Sequence, residues 1–216
     1  MLYGYSVFIP STIGVYGSEN KKVNVNLNTK PVPTTIYGVS KIFLENLGYY
    51  YKKVYGVDFR SIRYIGVISP KEYMYNGSTD YASEMFQKIK KNEKHFICLT
   101  KDRRLPMAYI DDIIDGTLLL LNTDKKMLSE CIYNINSVDF SPEEIISNTL
   151  NKNIEYKYEY KPDIRDTYAS TWPYNYDDSK ARSDFGWNPV YNSIDKIVEK
   201  MIEEVNLTYN NPLLDK

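Results

Sequence analysis

Three consecutive stretches near the amino end constrain the fold most strongly, because they alternate between strand-like and helix-like patterns. Residues 5–10 form a largely apolar run of the kind found in buried strands of parallel sheets. Residues 36–54 carry apolar side chains at helical spacing, preceded by Thr34 and Thr35, either of which can cap a helix, and followed by Gly56, which can end it. Residues 57–67 have the pattern of a second strand. Strand, helix and strand in this order predict a right-handed crossover in a parallel sheet.

The helix predicted between these strands contains a tyrosine and a lysine four positions apart, Tyr37 and Lys41. This spacing puts both side chains on one face. An ammonium beside a phenol favours the phenolate, so the pair can act as a general acid or base. The chain has 22 tyrosines, so the same spacing also arises by chance. The hydroxyls of Ser11 and Thr12 at the tip of the first strand favour the catalytic interpretation, because α/β enzymes place catalytic groups at strand ends.

The charge balance and composition exclude several classes of function. Lys plus Arg total 27 against 28 Asp plus Glu, a formal net charge of -1, so no electrostatic attraction to nucleic acid or to an anionic membrane is expected. No apolar stretch is long enough for a membrane span. A small molecule is therefore the expected partner.

Histidine and cysteine are too scarce to support most hydrolase or metalloenzyme sites. His95 is the only histidine, and its context predicts a strand start at the surface. Cys98 and Cys131 lie in apolar contexts that favour core positions over a disulfide. We therefore predict no metal site and no Ser-His-Asp or Cys-His nucleophile.

Local signals mark further elements along the chain. Ser141 with Pro142 and Glu144 forms a capping box that predicts a helix start. Residues 154–160 alternate as a strand does, and 194–205 form an amphipathic helix. Three further residues are candidate helix caps: Ser78 or Thr79 for one helix, and Asp111 for the next.

Several segments together resemble the extended short-chain dehydrogenase/reductase family, which includes the NAD-dependent epimerases and dehydratases. They are Ser-Thr-Ile-Gly-Val-Tyr-Gly at 11–17, Thr-Ile-Tyr-Gly-Val-Ser-Lys at 35–41 and the stretch 59–69. Within this family the chain is most similar to the short-chain type of L-threonine 3-dehydrogenase. That narrower similarity depends on residues 77–82, 104–107, 109–112, 171–173 and 177–182. The resemblance covers nearly the whole chain.

The resemblance implies an α/β fold: the carboxyl-terminal part of a Rossmann-like parallel sheet with a smaller α+β substrate-binding lobe. Residues 1–70 and 107–140 would form the Rossmann-like part, 71–106 and 141–205 the lobe, and 206–216 a frayed tail. It also implies pairing into a homodimer through the Tyr37 helix. We recognise no targeting segment in this sequence and expect the compartment to be either the cytoplasm or the mitochondrion.

The resemblance assigns a role to each candidate residue. Tyr37 would take the proton from a substrate hydroxyl, and Tyr37, Lys41 and Val67 would bind NAD. Lys41 would bind its nicotinamide ribose, and Val67 would line the nicotinamide pocket. Thr12 would hold the reacting hydroxyl, with Ser11 as the alternative. The remaining substrate-binding residues would be Ser78, Thr79, Asp80 and Trp172, and the substrate L-threonine.

The family's glycine-rich turn, of the G-x-x-G-x-x-G kind, is not found among the 10 glycines of this sequence. Its absence predicts that the amino-terminal dinucleotide-binding part is missing and that the chain is an incomplete or impaired form. Two alternatives stay open: a nucleotide-sugar epimerase or dehydratase of the same family, and a catalytically silent, truncated remnant.

Overall fold

The structure is a computed structural model that describes residues 6–207, which form two compact units. The first unit comprises residues 6–65, 110–136 and 171–190, and the second comprises 66–109, 137–170 and 191–207. The division predicted from the sequence differs at 66–70, 107–109 and 137–140, which fall in the second unit, and at 171–190, which falls in the first. Of the tail predicted at 206–216, all residues after 207 lie outside the described part of the chain.

The described residues alternate between strands and helices over most of their length. In chain order the elements are β1 (Ser6–Phe8), β2 (Ser11–Thr12), a 3-10 helix (Ile13–Val15), α1 (Ile36–Tyr55), β3 (Asp58–Tyr64), β4 (Gly66–Ile68), α2 (Tyr81–Lys90), β5 (His95–Ile97), β6 (Leu105–Tyr109), α3 (Ile110–Asn122), β7 (Ile132–Asn134), β8 (Val138–Phe140), α4 (Pro142–Leu150), β9 (Tyr158–Tyr160), α5 (Ile164–Thr171), α6 (Ser179–Phe185) and α7 (Ile194–Val205). None of the helices between residues 6 and 207 is both long and apolar enough to cross a bilayer.

The first unit contains a parallel sheet organised around β3. Strands β1 and β2 pair in parallel with successive parts of β3, and β7 also pairs with it in parallel. The α/β class and the parallel sheet predicted from the sequence are thus confirmed. The burial expected for the first strand is not found, since Ser6 is exposed and Val7 is 43% exposed. Among the described residues the pairing partner of β1 is β3 alone, which leaves part of β1 uncovered.

Helix α1 begins and ends where its sequence predicts. The Thr35 side chain accepts a hydrogen bond from the Gly38 amide and so caps the first turn. Gly56 ends the helix in the left-handed conformation at φ 70°, which glycine adopts without strain.

The apolar stripe of α1 faces outward within the chain, whereas an amphipathic helix usually turns its apolar side to the core. Ile36 is 84% exposed and Phe43 is 63% exposed. The buried positions are instead Gly38, Glu45 and Gly48. A Cβ atom at Gly48 would lie 2.3 Å from the Phe59 ring of β3, so the small inner face lets the helix approach the sheet closely.

The second unit combines a three-stranded sheet with a two-stranded one. Strand β6 pairs in parallel with β4 and antiparallel with β8, while β5 pairs in parallel with β9. Helix α4 starts with the predicted capping box between Ser141 and Glu144, and α7 has the bounds predicted for it.

Four local predictions need correction. The N-cap position of α2 is Asp80 and not Ser78 or Thr79, and α3 begins at Ile110, so Asp111 lies in its first turn. The strand predicted over 154–160 is confined to β9. His95 starts β5 as predicted but is 1% exposed and not at the surface. Its ring lies between the Tyr156 hydroxyl, 2.5 Å from Nδ1, and the Glu84 carboxylate, 3.3 Å from Nε2, which accounts for its burial.

Candidate active site

Tyr37 and Lys41 lie in the first two turns of α1, on one face as their spacing predicts. The Lys41 ammonium is 5.5 Å from the centroid of the Tyr37 ring. Its Nζ also donates a hydrogen bond to the Pro10 carbonyl, at 2.9 Å. An ammonium has three N–H donors, so two remain for a ligand. Tyr37 is 52% exposed, which leaves its phenol accessible from solvent.

Thr12 lies close to Tyr37, because both residues border Gly14 in the short 3-10 helix that follows β2. The Thr12 Oγ1 atom accepts a hydrogen bond from the Gly14 amide at 3.1 Å, so its own hydrogen is available to a ligand. A Cβ atom built on Gly14 would lie 3.5 Å from Thr12 Oγ1 and 3.6 Å from Tyr37 Cδ1. The structure therefore brings together the three residues predicted as the catalytic set.

Ser11, the alternative to Thr12, points its hydroxyl elsewhere. Its Oγ atom donates to Glu45 Oε1 at 2.5 Å, and both residues are buried. Because the Ser11 hydrogen is used in this bond, Thr12 is the better-placed hydroxyl of the two.

Sequence reasoning missed a buried polar network next to these residues. Glu45 accepts hydrogen bonds from Arg63 through both carboxylate oxygens, and Arg63 Nη1 donates to the Tyr16 hydroxyl at 2.6 Å. The Tyr16 hydroxyl in turn donates to Asn134 Oδ1 at 3.4 Å. One signal could have revealed Glu45: it follows Lys41 by four residues, as Lys41 follows Tyr37.

The charge states in this network follow from burial and from neighbouring charges. Burial raises the pKa of Tyr16, although the Arg63 charge works against the rise; Tyr16 therefore stays a neutral donor. Burial alone would lower the pKa of Arg63, but hydrogen bonding to Glu45 outweighs it and the pKa is raised overall. The guanidinium is thus charged at any working pH.

The other predicted binding residues fall in two places. Val67 lies in β4 of the second unit and is half-buried. Ser78, also in the second unit, is buried and donates to the Arg165 carbonyl at 2.9 Å. The Asp80 carboxylate accepts from the Gly77 amide at 2.7 Å. A Cβ atom at Gly66 would lie 2.7 Å from Thr79 Cγ2, so Thr79 packs over that glycine.

Trp172 belongs to the first unit and directly follows α5. Its carbonyl accepts a hydrogen bond from Lys22 Nζ at 3.4 Å. The indole N–H is buried, and among the described residues it donates to no acceptor. A buried donor without a partner is costly, so a ligand acceptor at this atom would remove the cost.

The residues present fit one end of a dinucleotide. An exposed phenol and an ammonium with two remaining donors suit the hydroxyls of a nicotinamide ribose. The G-x-x-G-x-x-G turn that would hold the pyrophosphate does not occur in the 216-residue sequence. The fit therefore extends to the nicotinamide end only.

A parallel sheet with a tyrosine–lysine helix beside a strand-end hydroxyl defines a protein of the Rossmann-like α/β class. Residues 3–136 match the family described as the NAD dependent epimerase/dehydratase family. The chain belongs to that family, which confirms the resemblance seen in its sequence.

Relatives named as threonine dehydrogenases match most of the chain. It is 41% identical to the mitochondrial L-threonine 3-dehydrogenase of Bos taurus, over 86% of this chain and 50% of that protein. The crystal structure of L-threonine dehydrogenase from Phytophthora infestans superposes with a TM-score of 0.89 at 41% identity, covering 93% of this chain and 65% of that one. The holo form of a GalE-like L-threonine dehydrogenase from Cupriavidus necator gives 0.88 at 36% identity, covering 94% and 65%. The chain thus spans about half the length of the curated threonine dehydrogenases it matches.

Proposed function

We propose that this chain serves in the NAD-dependent oxidation of L-threonine at its side-chain hydroxyl, which yields 2-amino-3-oxobutyrate. The observation that carries the proposal is the arrangement of Thr12 and Tyr37 on either side of Gly14, with the Lys41 ammonium against the Tyr37 ring. The names of the relatives from Bos taurus and Phytophthora infestans support the choice of substrate.

In this reaction NAD, when bound, accepts a hydride from the carbon that bears the hydroxyl. Tyr37 takes the hydroxyl proton on its phenolic oxygen, with the Lys41 ammonium 5.5 Å from the centroid of its ring. Thr12 donates its hydroxyl hydrogen to the substrate oxygen and so orients it. The two remaining Lys41 donors bind the nicotinamide ribose, while the bond to Pro10 keeps the ammonium in place.

The amino-acid part of the substrate needs an acceptor for its ammonium and donors for its carboxylate. We assign the carboxylate to the Trp172 indole N–H of the first unit, which is buried without a hydrogen-bond partner among residues 6–207. By family resemblance, Asp80 and Thr79 of the second unit are assigned to the ammonium and the carboxylate. The Ser78 hydroxyl already donates its hydrogen to the Arg165 carbonyl. Ser78 would therefore act in substrate binding only by positioning Thr79 and Asp80, which follow it. By family resemblance, Val67 of the second unit is assigned to nicotinamide binding.

The test is NADH formation by the purified full chain with NAD and L-threonine. Changing Tyr37→Phe removes the proton acceptor and should lower kcat/KM at least about a hundredfold. The matched control is Tyr49→Phe, on the same helix and also beside a lysine, with Lys53 Nζ 5.3 Å from its ring; its turnover should equal that of the wild type. A chain that gives no NADH with L-threonine, or that turns over only a nucleotide sugar, would contradict the proposal.

We further propose that two copies of the chain pair through the outward face of α1. Exposed apolar patches often mark protein–protein contacts, and this face carries six exposed apolar side chains: Ile36, Val39, Phe43, Leu47, Tyr50 and Val54. Sedimentation equilibrium of the wild type should give a dimer, and a monomer at micromolar concentration would contradict this part of the proposal.

A further inference from the structure

The inner face of α1 contacts the segment 10–14 at three successive levels. Nearest the helix start, a Cβ atom at Gly38 would lie 2.0 Å from the Gly14 carbonyl oxygen, so helix and turn touch backbone to backbone. One turn further, Lys41 donates to Pro10 O. At the third level, Glu45 accepts from Ser11 Oγ. These contacts set how α1 lies along the segment that carries Thr12.

Among the described residues, Glu45 is the only one of these three α1 residues whose side chain is also hydrogen-bonded to the central strand of the sheet, β3. Its Oε1 atom accepts from Ser11 Oγ at 2.5 Å and from Arg63 Nε at 2.8 Å. The Oε2 atom accepts from Arg63 Nη2 at 2.7 Å. Two parallel bonds from one guanidinium fix the plane of the carboxylate. The acceptor for Ser11 therefore has a defined orientation.

Arg63 is itself fixed by the sheet. It lies in β3, and its third bond goes to the Tyr16 hydroxyl. Tyr16 donates to Asn134 of β7, whose amide donates to the Val25 carbonyl at 3.2 Å. Glu45 and Arg63 are 4% and 6% exposed, so their charges depend on one another and on these partners.

We propose that Glu45 is a positioning residue, which fixes α1 against the segment 10–14 and thereby sets the place of Tyr37 relative to Thr12. The role of Ser11 is then to donate its hydroxyl hydrogen to Glu45, and Ser11 does not bind substrate. The inference rests on the proposed function, since it gives Glu45 a role in placing the proton acceptor. Tyr37, Lys41 and Glu45 follow one another at intervals of four along one helix, so a shift at Glu45 moves the other two.

A purely structural ion pair would act differently, because it would contribute only to the stability of the whole unit. The two roles are separated by a variant that removes the pair without leaving an unpaired charge. E45L/R63M replaces both side chains with apolar ones of similar volume, a change that is often neutral for stability or even stabilising. It nevertheless leaves the Ser11 hydroxyl without its acceptor. S11A removes the same bond and keeps the Glu45–Arg63 pair.

The experiment measures amide hydrogen exchange in the full chain without cofactor or substrate. In both E45L/R63M and S11A, amides at 39–45 and 11–14 should exchange about tenfold faster than in the wild type, the factor expected for loss of one hydrogen bond to a charged group. Amides of β5 and β6 should be unchanged. The matched control is E93Q, which removes an exposed carboxylate paired with Lys88 and should leave all of these rates as they are.

Unchanged exchange at 39–45 in both variants would overturn the proposal, and so would a uniform rise over both units. S11A keeps the test decisive if E45L/R63M does not fold. In the kinetic arm, the double variant should lower kcat about tenfold with the KM for L-threonine within about twofold of the wild type. A wild-type chain that makes no NADH would count against the proposed function alone, because the exchange rates still report on Glu45.

Discussion

Helix α1 carries two tyrosine–lysine pairs of the same spacing, Tyr37–Lys41 and Tyr49–Lys53. The lysine Nζ atoms lie 5.5 Å and 5.3 Å from the centroids of the two rings, and the tyrosines are 52% and 49% exposed. Measured within the helix, the pairs are equivalent. Helical spacing alone therefore does not make a catalytic pair.

The two pairs differ in what the rest of the chain brings to them. Lys41 is bonded to the Pro10 carbonyl beside Thr12. The residue after Tyr37 is Gly38, which touches the Gly14 backbone, whereas Tyr49 is followed by Tyr50, which is half exposed. Tertiary contacts thus bring the Thr12 hydroxyl close to Tyr37 and hold Lys41 through its bond to Pro10. The structure gives no such contacts for Tyr49 and Lys53 among the described residues. Four predictions test this difference.

The largest effect on stability is expected from the Glu45–Arg63 pair, which joins the helix that carries Tyr37 and Lys41 to the sheet. Arg63→Met leaves the buried Glu45 carboxylate without its counter-charge, so the free energy of unfolding should fall by about 3–5 kcal/mol. Urea denaturation measures it. The control change Lys94→Met breaks a pair with Glu159 in which the side chains are 51% and 43% exposed, and it should alter stability by less than about 0.5 kcal/mol. Equal losses of unfolding free energy would show that the buried network around Tyr37 and Lys41 contributes no more to stability than an exposed ion pair.

Replacing each lysine compares the pairs directly. Lys41→Met removes the ammonium that lies 5.5 Å from the Tyr37 ring centroid and the proposed donors for the ribose, so kcat/KM for L-threonine should fall about a hundredfold. Lys53→Met should leave it unchanged. The rates come from NADH absorbance, and a similar loss in both variants would mean that position along the helix does not matter.

The close approach at Gly38 provides a third comparison. A methyl group there would lie 2.0 Å from the Gly14 carbonyl oxygen, so Gly38→Ala should destabilise the chain by about 1–3 kcal/mol despite the better helix propensity of alanine. Ser40→Ala, on the exposed face of the same helix, should not lower the melting temperature. If Gly38→Ala melted at or above the wild-type temperature, helix and turn would not be in tight contact.

The smallest effect on folding is expected on the outward face. Phe43 is 63% exposed, so Phe43→Ser should change the unfolding free energy of the monomer by no more than about 0.5 kcal/mol. The same variant should weaken self-association if two copies pair through this face. Dilution series in sedimentation velocity measure the second quantity, and unaltered association would place the interface elsewhere.

Much of the fold and the central part of the site were predictable. The parallel sheet, the bounds of α1 and α7, and the capping box at Ser141 follow from patterns within a few residues. Thr12 and Tyr37 both border Gly14 and Lys41 lies against the Tyr37 ring, while the catalytic roles of these three residues stay a prediction. The placement of Ser11, by contrast, could not be predicted, because its partner Glu45 is 34 residues away.

The sequence by itself determined where α1 begins and ends and that Tyr37 and Lys41 share one face, because helix caps and side-chain spacing depend on neighbours within one or two turns. Only the tertiary structure decided which face of α1 is buried. Its apolar stripe faces outward. Glu45 faces inward, and Arg63, 18 residues further along, supplies the charge that makes this buried carboxylate stable. No pattern within one or two turns of the helix identifies a partner at that distance.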